Sequence, residues 1–192
     1  MVASEINETN ESISGGKSFY TILEMTTTNT KLSPVLDTQR MRAFTIQNRL
    51  NNPSSSNTPS FVADTANTGT SSAAVYCTNP VLLENNSKAL DIRLTANIRA
   101  TSEGEMYFRV ATDGDKLDDL SWTPFNTDGS PDETVQPSAD RDDFQDYVYT
   151  AGVTDDGIGT PLQEFISFQI KIIMQGTNSS EPPRIKDLRI LA

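Results

Sequence analysis

Residues 165–174 read FISFQIKIIM, an alternation that suits a strand and not a helix. Phe168, Ile170, Ile172 and Met174 fall on one side. Ser167, Gln169 and Lys171 fall on the other, because successive side chains of a strand face opposite sides of the sheet. A polar turn follows over 176–181, then Pro182-Pro183, then a closing apolar run over 184–192. The pattern predicts an all-β chain, an antiparallel β-sandwich of jelly-roll type, whose last strand lies in the core.

Working toward the N-terminus, residues 144–150 (FQDYVYT) form another strand. Phe144, Asp146, Val148 and Thr150 lie on one side, Tyr147 and Tyr149 on the other. Residues 90–100 (LDIRLTANIRA) alternate most regularly, with Leu90, Ile92, Leu94, Ala96 and Ile98 inward. A turn over 101–105 and a strand over 106–111, with Met106, Phe108 and Val110 inward, complete an expected antiparallel hairpin. Residues 74–83 (AVYCTNPVLL) read as one strand, with Pro80 marking an edge position or a bulge. Trp122 to Phe125 form a short aromatic patch, and 128–143 is acidic and turn-rich. Short strands between turn-rich loops are the signature of a sandwich or jelly roll. Residues 51–72 are so poor in apolar side chains that burial does not offset their ordering entropy, and only Phe61-Val62 offers an anchor. The expected organisation is an N-terminal extension over 1–50, a linker or long exposed loop over 51–72, and a sandwich domain over 73–192. Within the extension, 1–17 is polar, 19–25 (FYTILEM) reads as a strand, and 41–50 (MRAFTIQNRL) as a strand or a short helix.

The composition narrows the function. Among 192 residues, 15 Lys and Arg face 26 Asp and Glu, a net charge of −11. Such a surface is repelled by a phosphate backbone, so nucleic acid is not an expected partner. There is no histidine, which removes the commonest general base and zinc ligand. Cys77 is the single cysteine, so an internal disulfide and a thiolate metal cluster are excluded. Within a strand it reads as a small buried hydrophobe. No apolar run approaches the ~20 residues of a membrane-spanning helix, and the first residues carry no signal-peptide pattern. Hydrophobic residues make up 35% of the chain. The shortfall is Ser, Thr, Asn and Asp, residues of turns and loops, so a formed core with long connections is expected.

The chemistry-bearing motifs are weak. Gly15-Gly16-Lys17-Ser18 resembles the end of a phosphate-binding loop, but Glu11 stands where the first glycine belongs. Asp113, Asp115, Asp118 and Asp119 cluster without the order of a calcium loop, and read as turn formers together with Asp128-Gly129 and Asp155-Asp156-Gly157. Trp122, Phe125, Tyr147 and Tyr149 read as core packing, or as an aromatic platform for sugar stacking. The Asn-X-Ser/Thr triplets at Asn7, Asn10, Asn85 and Asn178 fit the chance expectation in a chain rich in these residues. Paired carboxylates capable of glycoside hydrolysis are not singled out. No catalytic, cofactor-binding or metal-binding residue is assigned, and no enzyme activity is expected.

Three stretches carry a resemblance: 26–51 (TTTNTKLSPVLDTQRMRAFTIQNRLN), 76–100 (YCTNPVLLENNSKALDIRLTANIRA) with MYFRVA and Trp122 after it, and 165–192 (FISFQIKIIMQGTNSSEPPRIKDLRILA). In this order they resemble the C-terminal region of large virion structural proteins, tail or baseplate components, of T4-like myophages, especially those of marine cyanobacteria. The resemblance spans roughly residues 20–192. It implies a terminal domain of a longer chain or a short relative of one. It also implies a non-enzymatic module of the virion, assembled in the host cytoplasm. Its partners would be other tail or baseplate subunits and its own copies. The extension and residues 51–72 would serve as docking arms, by strand addition to a sheet edge. A receptor- or carbohydrate-binding module at the tail tip, with host glycan as ligand, is the alternative.

Overall fold

The computed structural model describes residues 22–37, 50, 59–112, 115–152, 160–178 and 181–192. The chain divides into two compact units, Met1–Asn48 and Arg49–Ala192. In the first unit the described residues 22–37 contain no strand. A turn is closed by the Leu32 N–H on the Asn29 carbonyl (3.1 Å) and by the Lys31 N–H on Asn29 Oδ1 (2.9 Å). The strand expected over 19–25 is therefore absent at 22–25, because strand-forming residues gain little without a neighbouring strand. Its first three residues, and the 41–50 stretch except Leu50, lie outside the described residues.

The second unit is all-β. Its strands are β1 (Val75–Cys77), β2 (Val81–Ser87), β3 (Ala89–Asn97), β4 (Ser102–Ala111), β5 (Thr123–Pro124), β6 (Gln145–Gly152), β7 (Phe165–Gly176) and β8 (Arg184–Leu191). All pairings among them are antiparallel. One sheet runs β1–β7–β4–β5, with β2 also on β7; the other runs β6–β3–β8. The two inner faces share one core. Leu90, Ile92, Leu94 and Ala96 of β3, with Tyr147 and Tyr149 of β6, meet Met106 and Phe108 of β4 and Phe168, Ile170 and Ile172 of β7. Phe125 fills the middle, its ring 4.8 Å from Phe108 and 5.8 Å from Tyr149. The alternation read in 165–174 thus places its apolar set in the core.

Three sequence expectations are corrected. Strands β3 and β4 are not a hairpin: β3 pairs with β6 and β8, β4 with β7 and β5. The connection, tightened by the Ser102 N–H on the Arg99 carbonyl (3.0 Å), crosses from one sheet to the other. Each strand then packs its apolar face against the facing sheet, which alternation alone does not distinguish from a hairpin. Residues 102–105 belong to β4 and not to a turn, paired with 173–176 of β7. The single strand expected over 74–83 is two, β1 and β2, following one edge of β7 and interrupted at 78–80. Pro80 has no N–H for the ladder and stands at the break.

Candidate functional site

The densest collection of charged and aromatic groups lies on the outer face of the larger sheet. Gln169, Lys171 and Ile173 project there from β7, Tyr107 and Arg109 from β4. The register sets Tyr107 opposite Lys171 and Arg109 opposite Gln169. Alternation read from sequence placed Gln169 and Lys171 on this outward side, as the structure does. Yet Lys171 is only 1% exposed.

The cover comes from the described part of the segment read as a linker or exposed loop, residues 59–72, and from Trp122. The Trp122 N–H donates to the Thr65 carbonyl (2.8 Å), and Lys171 Nζ donates to the Asp64 carbonyl. The segment is closed on itself by the Ser71 N–H on the Val62 carbonyl (2.9 Å) and the Thr70 hydroxyl on Asp64 Oδ1. These described residues are fastened to their own sheet.

The Trp122 ring is the centre of the cluster. Arg109 Cζ stands 4.4 Å and Lys171 Nζ 4.6 Å from its centroid, and Lys171 also lies 5.1 Å from Tyr107. Aromatic faces attract cations most strongly where water is excluded. Arg109 donates to Gln169 Oε1 from Nε (2.9 Å) and Nη2 (2.6 Å), and from Nη2 to Asp118 Oδ1 (2.6 Å). Gln169 Nε2 donates to the Thr78 carbonyl (2.6 Å). Among the described residues Arg109 Nη1 is buried with no partner. Burial pushes the Lys171 ammonium down to about 8, against the opposing pull of Asp64. Burial raises Glu105, which accepts the Tyr107 hydroxyl (2.6 Å), and desolvation together with that bond raises Tyr107. The arrangement fastens a segment to a sheet. Sequence reasoning missed it, because the only signal was two polar residues on a face expected to be solvated.

The residues singled out from sequence are dispersed. Phe125, Tyr147 and Tyr149 are in the core and Trp122 is under the segment just described, so these four make no solvent-facing platform. Asp118 is engaged with Arg109, Asp115 accepts from the Thr112 hydroxyl, and Asp113 lies outside the described residues. Among the described residues no group of three or more His, Cys, Asp or Glu side chains is placed to hold a metal ion. Asp128-Gly129 forms a turn, with Gly129 at φ 86° and the Ser130 N–H on Asp128 Oδ1 (3.0 Å). Cys77 is exposed at the end of β1, a correction to the buried reading, since this short edge strand is open to solvent. Gly15-Gly16-Lys17-Ser18 and Asp155-Asp156-Gly157 lie outside the described residues. No helix among them is long and apolar enough to cross a membrane.

Two surface cavities avoid the cluster. One, about 220 Å³, lies beside Tyr147, Tyr149 and Val135. The other, about 410 Å³, is a slot between the edges of the two sheets, where Tyr76, Ile172 and Met174 face Ile185 and Leu188. Comparison with known proteins finds no matching family model, no matching curated protein and no matching solved structure.

Proposed function

We propose that this chain is a non-enzymatic structural module of a bacteriophage virion, a tail or baseplate component built into the particle in the host cytoplasm. Its work is docking against neighbouring subunits. The observation that carries the reading is the exposed apolar surface of residues 22–36. Ile22, Leu23, Met25, Leu32, Val35 and Leu36 all stand exposed, Val35 at 93%. Six large apolar side chains within sixteen residues of irregular chain are what a segment needs to order on a partner. The resemblance of 26–51, 76–100 and 165–192 to virion proteins supplies the class of partner. A jelly-roll order belongs to the same proposal. With β1 and β2 counted as one interrupted strand, β1/β2–β7–β4–β5 faces β6–β3–β8, with no strand beside β8 among the described residues.

Antibodies raised against the chain test the reading on gradient-purified T4-like myophage particles whose lysate contains it. Gold label on the tail or baseplate in negative-stain micrographs is expected. Abundant chain in the lysate with none in intact particles overturns it.

A further inference from the structure

Among the described residues, strand β8 hydrogen-bonds to β3 alone. No described strand pairs with its other side, and an edge of this kind is a template for another strand. The slot beside this edge is lined by Ile172, Met174 and Leu188 of the interior. Leu191 on the same strand is 62% exposed, and Tyr76 across the slot 48%. A register shift opposite Thr95 and Ala96 confines the regular part of the edge to its C-terminal half, from Asp187 onward.

We propose that this edge pairs with β8 of a second copy of the chain, antiparallel and centred on Leu188. The occupant follows from the charges. An isologous pair of strands is related by a two-fold axis, so one residue faces its own copy and the flanking residues face each other reciprocally. Centring on Asp187 sets aspartate against aspartate, centring on Arg189 sets arginine against arginine, and centring on Lys186 sets lysine against lysine. Like charges directly opposed destabilise a sheet. Centring on Leu188 sets leucine on leucine and places Asp187 opposite Arg189 of the other copy, twice.

The outer face of the smaller sheet favours that arrangement. Arg93 and Arg189 already stand directly opposite each other. Each leans on the aspartate two positions before it, Arg93 on Asp91 at 3.0 Å and Arg189 on Asp187 at 2.9 Å. A carboxylate arriving from the second copy on the far side of Arg189 offsets the arginine pair. The neighbouring strand also closes the mouth of the slot. This inference stands on β8 and not on the virion reading: a β8 dimer with no place in a particle keeps the one and removes the other.

Charge reversal tests it in the whole chain, by light scattering coupled to size exclusion over a concentration series. The native chain is expected to dimerise. Asp187→Arg, at a half-buried position, and Arg189→Asp, at an exposed one, each checked for folding by circular dichroism, should each weaken the dimer by about tenfold or more. Asp187→Arg combined with Arg189→Asp should restore it. A native chain that stays monomeric throughout overturns the proposal. So does a dimer indifferent to both single reversals, or a folded double reversal that remains monomeric.

Discussion

Lys171 brings a charge to the outward side of β7 and is then sealed beneath Trp122 and residues 59–72. Burial pushes its ammonium down to about 8, from an ordinary value of 10.5. Between those values the unfolded chain holds a proton that the folded chain has released, so stability rises with pH across that window. The Cys77 thiol, exposed yet desolvated in part by its sheet and so raised from 9.0, contributes with the opposite sign. The comparison therefore belongs in a Cys77→Ser background between pH 7.5 and 9. Urea denaturation should show stability climbing, by at most about 1.4 kcal/mol per pH unit, and Lys171→Met should flatten the slope. An equal slope in both proteins would place the effect elsewhere. Gly152 ends β6 at φ 94°, where a Cβ would run into the Lys88 carbonyl oxygen and Ala89. Gly152→Ala should cost about 1–3 kcal/mol, read as a lower denaturation midpoint at unchanged m-value. Neither demand is visible in the sequence, where Gly152 is one turn glycine among ten and Lys171 one polar residue in an alternating strand.

Among elements, β7 is the organiser: it pairs with β1, β2 and β4 and contributes to both faces of its sheet. Its inner face was legible, since period-two alternation says which side is apolar. Its outer face was not, because the cover over Gln169 and Lys171 comes from residues about a hundred positions earlier that have no apolar pattern of their own. Trp122 joins the two by holding the Thr65 carbonyl with its N–H and both cations with its ring. Trp122→Ala should destabilise the fold by about 3–5 kcal/mol and open residues 59–72 to limited proteolysis under native conditions. Loss of stability without new cleavage there would show that the segment is held by its other bonds. The crossing of β3 to β4 between sheets was likewise hidden. Two alternating strands joined by a short link pack equally well as a hairpin or as opposite layers, and the choice is made by what lies across the core.

At the scale of the molecule, the core residues among those described fall between Val81 and Ile190. The chain from Arg49 to Ala192 should therefore fold by itself with one cooperative transition, matching the far-ultraviolet circular dichroism of the sandwich. If the extension is the docking arm, the same truncation loses assembly with other virion subunits while the sandwich survives. A truncation that fails to fold would instead make the first 48 residues part of the sandwich.

The sequence by itself determined the all-β class, the inward sets of β3 and β7, the two-sided alternation of β6, and an irregularity at Pro80. These follow from local rules: side chains alternate along any strand, and proline lacks a donor wherever it sits. Tertiary structure alone decided the rest. Which strand joins which sheet, that Lys171 and Arg109 are buried, that the four aromatics share no open face, and that Cys77 is exposed all depend on what is laid over each face. That covering comes from distant parts of the chain, and its placement is set by the packing of the whole core and not by any local pattern.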